Sequence, residues 1–408
     1  MKLLILTQYF PPEIGAPQNR LYELSVRLKK KGVDVSIITA MPNYPKMEVH
    51  KAYKGKKYCF EKDDNNLNIH RCWIYVKKSK SIIPRLMNYF SFVLSSLFYG
   101  LIKVGRQDIL LVESPPLFLG ISAYLLSKAK RAKLVFNVSD LWPESAEKLN
   151  IINNRLLLKM ATFLEEFLYK KSSLITGQTQ GIVGNIKERF PKKKVYWLKN
   201  GVDLNFYNVN KEIDSCWREE NGYTQDDFIL FYGGIIGLAQ GLEVILYAAE
   251  ELKNYENIKF VLLGEGPEKE RLQKIKKELR IDNVKFFDAV EKNYMQRIII
   301  STDATIIPLK KLDLFKGAIP SKIFENLALK KPILLGLEGE AKQLFIDEGD
   351  CGLAFIPEDF KDLKSKILSL YNDKALCKEK GENGFKYVSS HFNRDIIAQR
   401  LYEELLLL

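Results

Sequence analysis

The stretch A-I-P-S-K-I-F-E-N-L-A-L-K-K-P-I-L-L runs from Ala318 to Leu335 and packs a helix start, a helix stop and a strand into one unit. Pro320 cannot continue a helix backwards and Ser321 is a good N-cap, so a short helix is expected here with Ile323, Phe324 and Leu327 buried. Lys331-Pro332 breaks it, and Ile333 to Leu335 reads as a buried strand. Glu325 lies one turn in from Ser321, on the same face, because residues four apart are neighbours on a helix. The N–H groups of a helix start, together with Lys322, suit a phosphate, and Glu325 suits the paired hydroxyls of a ribose. The plainer account is an ordinary capped helix between two strands. The rest of the chain decides between them.

Working outward, the same alternation recurs. Apolar strands are expected at Phe228 to Gly233, Ile258 to Leu263, Val284 to Phe287 and Ala304 to Ile307, with helical periods between them. An earlier series opens the chain. Leu3 to Leu6 is a strand, Thr7 to Pro17 a loop around Gly15, and Gln18 to Lys31 a helix stopped by Gly32. Strands follow at Val33 to Ile38, His70 to Val76, Ile109 to Glu113, Leu134 to Asn137 and Leu174 to Thr176. Between the two series, Lys199 to Gln225 is polar and aperiodic, which sets the junction near Gly201. The expected class is α/β, as two Rossmann-like doubly wound domains facing a central cleft at the carboxyl ends of their strands. The expected division is 1–200, 201–390, and a C-terminal helix within 391–408 that packs back towards the first domain.

At 408 residues the chain is too long for one core. Its net charge of +13 suits nucleic acid, an anionic membrane surface or phosphorylated substrates. Basic residues interleaved with stacking aromatics are missing, which argues against nucleic acid. Five scattered cysteines fit a reducing compartment, and three histidines with no ligand spacing give no zinc site. The N-terminal apolar run is too short for a signal peptide, so a cytoplasmic location is expected. Leu86 to Ile102 carries no formal charge but includes Asn88, Ser91, Ser95 and Ser96, which favours a helix docked on the protein or touching a membrane over one that spans it.

Four loops carry candidate chemistry. F-P-P-E-I-G-A-P, from Phe10 to Pro17, puts Gly15 just before a helix, where backbone can approach an anion closely. Y-G-G-I-I-G-L-A-Q-G-L, from Tyr232 to Leu242, is a glycine-rich turn after a strand, without the lysine and hydroxyl of a Walker loop. Gly264-Glu265-Gly266-Pro267 follows the next strand. Asp140-Leu141-Trp142-Pro143-Glu144 brings two carboxylates to a helix start, as caps or as acceptor-facing groups. There is no D-x-D pair, so no metal is expected.

These motifs, together with P-N-Y-P at Pro42 to Pro45, S-P-P at Ser114 to Pro116, N-G-V-D at Asn200 to Asp203 and P-S-K-I-F-E at Pro320 to Glu325, occur in an order that resembles GT-B glycosyltransferases of the retaining family four. The likeness is strongest to bacterial O-antigen and capsule enzymes, N-acetyl-fucosamine transferases among them. It implies a UDP-sugar donor, an undecaprenyl-diphosphate-linked or other glycan acceptor, and peripheral association with an anionic inner-membrane surface. Glu325 matches the second glutamate of the family's E-x7-E pattern, while Gly317 stands at the first. The family's Arg and Lys in the glycine-rich turn are absent, Gln240 standing near the lysine position, so Lys322 is expected to replace them at the diphosphate. Ser139 stands where many relatives carry a histidine, leaving Asp140 as the acceptor-side carboxylate.

On this basis the donor side comprises Gly15, Gly234, Gly237, Gln240, Glu265, Val290, Pro320, Ser321, Lys322 and Glu325. The acceptor side comprises Glu13, Arg20, Asp140 and Glu144. Asp140, Lys322 and Glu325 form the catalytic set. A sugar-nucleotide 2-epimerase of the same architecture is the rival reading, and a basic nucleic-acid-binding protein a weaker one.

Overall fold

The computed structural model describes residues 1–13, 15–44, 47–79, 82–148, 154–208 and 216–408. Pro45, the last residue of the P-N-Y-P motif, lies outside them. The chain forms two compact units, Met1–Asn200 with Arg394–Leu408, and Gly201–Asn393.

The first unit runs β1 (Lys2–Leu6), α1 (Ala16–Lys30), β2 (Asp34–Ala40), β3 (Tyr58–Lys62), β4 (Asn68–Cys72), α2 (Ile82–Lys103), β5 (Ile109–Ser114), α3 (Leu119–Lys130), β6 (Lys133–Val138), α4 (Glu144–Lys148), α5 (Arg155–Lys171), β7 (Leu174–Gly177), α6 (Gln180–Arg189) and β8 (Val195–Trp197). Its eight strands are ordered β3-β4-β2-β1-β5-β6-β7-β8. β3 alone runs antiparallel, against β4. Successive β1 residues serve opposite faces, as a strand dictates. Leu4 and Leu6 join the core with Phe92 of α2, Leu126 of α3 and Leu168 of α5, while Leu3 and Ile5 join Leu21 and Leu28 of α1.

The second unit continues with α7 (Trp217–Glu220), β9 (Phe228–Gly233), α8 (Glu243–Glu251), β10 (Ile258–Leu263), α9 (Lys269–Leu279), β11 (Val284–Phe287), α10 (Lys292–Ile300), β12 (Ala304–Pro308), α11 (Lys322–Ala328), β13 (Ile333–Gly336), α12 (Glu340–Lys342), β14 (Gly352–Ala354), α13 (Phe360–Asn372) and α14 (Lys374–His391). Its parallel sheet is ordered β11-β10-β9-β12-β13-β14. The last helix, α15 (Arg394–Leu406), belongs to the first unit. There Arg394 pairs with Glu23 and Arg27 with Asp395, and Leu401 and Leu405 enter the α1 side of the core.

Three strands escape sequence reading: the antiparallel edge β3, and the three-residue β8 and β14. The strand expected over His70 to Val76 stops at Cys72. Beyond it Trp73 N–H still reaches the Lys57 carbonyl at 2.9 Å, and from there the chain bonds to side chains of α2. Tyr75 N–H donates to Ser91 Oγ at 2.8 Å, Asn88 Nδ2 donates to the Tyr75 carbonyl at 2.6 Å, and Ser95 Oγ donates to the Trp73 carbonyl at 2.5 Å. Ser96 meets Ser122 of α3 at 3.1 Å. The four polar residues that interrupt the apolar run of α2 are thus docking groups. Among the described residues no helix is long and apolar enough to cross a membrane.

Candidate active site

In a doubly wound sheet the strand order reverses at one point, and the loops leaving the strands there diverge into a crevice. In the second unit that point lies between β9 and β12. The turn after β9 is stitched to the loop after β10. Gly234 N–H donates to the Leu263 carbonyl at 2.9 Å, and Ile236 N–H to the Glu265 carbonyl at 2.9 Å. Gly264 (φ +145°) makes this approach possible, since a Cβ there would stand 1.8 Å from the Gly234 carbonyl oxygen. Gly264→Ala is therefore expected to destabilise the second unit by about 2 kcal/mol, a Tm drop of roughly 4–8 °C in calorimetry.

Lys322, the first residue of α11, reaches into this turn. Its Nζ lies 3.8 Å from the centroid of the Tyr232 ring. A Cβ on Gly234 would be 3.0 Å from the same nitrogen. Burial lowers the pKa of the amine to about 7, against the opposing pull of Glu325. The amine is enclosed, although the residue as a whole keeps some exposed surface. Tyr232 is locked by its own hydroxyl, which donates to the Ile235 carbonyl at 2.6 Å. The outcome is a cation resting on an aromatic face and a glycine backbone.

The other expected donor residues fall around the same edge. Gln240 folds back over Gly237, whose Cβ position is 2.9 Å from Gln240 Oε1. Glu265 is solvent-exposed and paired with Lys269 at 2.7 Å. Val290 sits half-buried in the loop after β11, and Glu325 half-buried on α11. Ser321 departs from expectation. Its backbone is already helical (φ −60°, ψ −28°), and its hydroxyl makes no capping bond. The Ile323 N–H goes to the Pro320 carbonyl instead, at 3.1 Å. With only seven residues α11 has a small dipole, so the charge offered here is that of Lys322.

Gly317 ends a short 3-10 turn, and a Cβ there would meet open space. Next to it a cavity of about 390 Å³ is lined by Lys310, Lys311, Leu312, Asp313, Lys316, Leu337, Glu338 and Pro357. Sequence reading missed Lys310. Its N–H donates to the Ala239 carbonyl at 2.9 Å, and its stem covers Gly241. Its place just beyond the end of β12 was the available signal.

In the first unit the order reverses between β1 and β5. Arg20 of α1 is buried there, its Nη2 donating to Glu113 at 2.5 Å and to Ser139 Oγ at 2.9 Å. Ser139 in turn donates to Glu113, Asn137 Nδ2 donates to Glu113 at 2.5 Å, and Thr176 Oγ1 donates to Asn137 at 2.6 Å. This network anchors the loop that carries Asp140. Burial pushes the Asp140 carboxyl above its usual range, opposed by the Ser145 hydroxyl that donates to it at 2.5 Å. By surface area the residue is nonetheless exposed, and Glu144 beside it is half-buried.

Glu13 is buried and accepts from the N–H groups of Asn43 (2.7 Å) and Tyr44 (2.8 Å), tying the first loop to the P-N-Y segment. Glu13 and Arg20 are therefore placed as supports of loops, set back from the surface. Gly15 caps α1 from an extended conformation, with the Gln18 amide folded against it.

The comparisons with known proteins agree with this layout. Residues 18–206 match the family model described as Glycosyltransferase Family 4, and residues 215–387 that described as Glycosyl transferases group 1. Among curated proteins the chain is 25% identical over 336 residues to the putative colanic acid biosynthesis glycosyl transferase WcaI of Escherichia coli (strain K12), covering 81% of each. Among solved structures it resembles a sucrose-phosphate synthase from Thermosynechococcus elongatus (TM-score 0.75, 14% identity, all of both chains). Anabaena HepE, solved in complex with UDP and glucose, is similar at a TM-score of 0.72 and 15% identity, again over all of both chains. At such identities the structural likeness is one of fold. Its two halves match these two glycosyltransferase models in order, and the chain has the GT-B fold.

Proposed function

We propose that the protein transfers a sugar from a UDP-sugar, with retention of configuration, to a lipid-linked glycan in the assembly of a surface polysaccharide such as O-antigen or capsule. The observation that carries this reading is the Lys322 amine held against the Gly234 turn, at the switch point of the second sheet. A diphosphate leaving group needs a cation where its charge grows, and Lys322 supplies one without a metal. Glu325 takes the ribose hydroxyls, and Gly234, Gly237, Gln240, Glu265, Val290, Pro320 and Ser321 surround the donor. The room left by Gly317, beside the cavity of about 390 Å³, supports an N-acetylated amino sugar as the group transferred.

In the transfer, the anomeric C–O bond to the β-phosphate breaks, and a bond from the same carbon to the acceptor oxygen forms. The acceptor proton passes to the departing phosphate. Asp140 orients the acceptor hydroxyl, Glu144 stands beside it, and Arg20 and Glu13 hold their loops. The colanic acid description of the Escherichia coli relative and the UDP bound to HepE support polysaccharide and UDP, respectively. The Escherichia coli relative and both family models carry transferase descriptions, which favours transfer over epimerisation. Action at the cytoplasmic side of the inner membrane follows from a lipid-linked acceptor.

Supplying labelled UDP-N-acetylhexosamines with membrane lipid extract tests the reading through chloroform-soluble label. Asp140→Asn is expected to cut that label about 10²-fold while leaving UDP affinity unchanged. Full transfer by the variant would remove Asp140 from the reaction. An epimerised UDP-sugar formed without any extract would replace transfer by epimerisation.

A further inference from the structure

Two helices of the first unit turn apolar residues outward where internal packing gives no reason for it. On α2, Ile83, Met87, Phe90, Leu94, Phe98 and Leu101 follow one another at three- and four-residue steps, so they form one stripe along the helix. Leu94 is 68% exposed and Ile83 65%. The opposite face is buried through Phe92, Val93 and Ser96, and through Gly100, where a Cβ would press on Leu126 of α3. α5 repeats the pattern with Leu156, Met160 and Phe163, the last 74% exposed. α3 lies between the two, packed on α2 and meeting α5 where Tyr124 and Phe167 stand edge to face at 5.0 Å. An apolar surface of this extent on a soluble protein marks a place that something covers.

Charge indicates what the cover is. Neither α2 nor α3 contains an acidic residue. Arg85 and Lys103 stand near the two ends of the α2 stripe, and Lys130 Nζ donates to the Leu101 carbonyl at 2.7 Å. On α5, Lys159 stands among the exposed residues, while Lys170 further along is paired with Glu166 at 3.0 Å. A second copy of the chain would have to press like-charged margins together, whereas anionic lipid headgroups complement them. An apolar stripe with basic margins on a helix that does not span is the pattern of a helix lying in the membrane interface.

The stripe also leads to the reactive loop. Phe90 meets Phe118 with tilted rings at 4.8 Å, and Phe118 meets Trp142 edge-on at 5.5 Å. Trp142 is two residues beyond Asp140. We infer that the α2–α5 face docks half-immersed on an anionic bilayer, with the Phe90–Phe118–Trp142 edge at the lipid surface, so that a lipid-anchored acceptor reaches Asp140 without leaving the membrane. This rests on the lipid-linked acceptor proposed above and adds which surface meets the lipid.

The test is co-sedimentation of the full chain with phosphatidylcholine vesicles, with and without phosphatidylglycerol, alongside light scattering for mass and calorimetry with UDP. The wild type is expected to bind the anionic vesicles as a monomer. Leu94→Asp combined with Phe98→Asp is expected to lose at least about tenfold in that binding, and Phe163→Asp severalfold, with UDP affinity and Tm unchanged. Brominated phosphatidylglycerol should quench the wild type more than Trp142→Phe. Equal vesicle binding by the double variant, or equal quenching, would overturn the inference. So would a wild-type dimer that the double variant converts to monomers, because a second copy would then be the cover. Vesicle binding without UDP binding would keep the docking face and sink the transferase reading, and the converse would do the opposite.

Discussion

Lys322→Met is expected to lower kcat by about 10²–10³-fold, the usual cost of removing one preorganised charge from a developing anion. Methionine keeps most of the aliphatic stem over Tyr232, so the fold should survive and the loss can be assigned to the charge. The same amine gives the site a pH signature. Its pKa in the free protein is about 7, lowered chiefly by burial and only partly restored by Glu325. A bound diphosphate favours the charged form, so UDP binding should take up a proton at and above neutral pH and weaken as pH rises through 7. Calorimetry in buffers of different ionisation enthalpy reads that proton directly.

Stability moves the other way. The unfolded chain holds the lysine proton up to near 10.5, while the folded chain releases it near 7, so this group's penalty is largest below pH 7 and is relieved as pH climbs towards 10.5. Lys322→Met should therefore melt higher than the wild type at pH 6 and lose that advantage at pH 10. Wild-type turnover in the variant would end the role assigned to Lys322.

Arg20→Met is expected to cost about 3–5 kcal/mol, because it strands the Glu113 carboxylate in the interior. The pair is 2.5 Å apart, with side chains only 7% and 5% exposed. For a unit of this size the loss corresponds to a Tm drop of roughly 10 °C, readable by scanning calorimetry. Transfer should fall as well, since Ser139 loses the donor that anchors the Asp140 loop. Adding Glu113→Leu removes the stranded charge and should recover most of the stability but little of the activity. If Arg20→Met were as stable as the wild type, the network beneath the loop would not be what anchors it.

What the sequence revealed, and what it hid, follows from chain physics. Long apolar strands alternating with helical periods announced two parallel sheets, because a strand covered on both faces is apolar throughout, as in Leu3 to Leu6 and Phe228 to Tyr232. Edge strands such as β3 and β14 left little signal, being short and covered on fewer sides. Gly264 was legible as a loop glycine, but its role as the contact point with the Gly234 carbonyl needed the sheet to bring the two loops together.

The place of Lys322 at the head of α11 was legible because its motif is local. The network beneath Asp140 was not, since the partners of Arg20 lie 93 and 119 residues further along the chain. Arg20 and Glu13 looked like groups for an acceptor and stand in the structure as buried supports. Ser321 looked like a cap because serine usually caps, yet here the Pro320 carbonyl takes the first turn's bond. The α2 run read ambiguously because two opposite faces, one docked and one exposed, are averaged in any linear window.

The proposed UDP-sugar site in the second unit works through Lys322 and Glu325 without a metal. Its test is titration calorimetry of the full chain with UDP, GDP, dTDP, ADP and NAD, repeated in EDTA. UDP is expected to bind, with preference over the other four, with the same affinity in EDTA, and with strong loss in Glu325→Ala. Preference for GDP would keep the fold and redirect the donor. Binding of none of the five nucleotides would contradict the account.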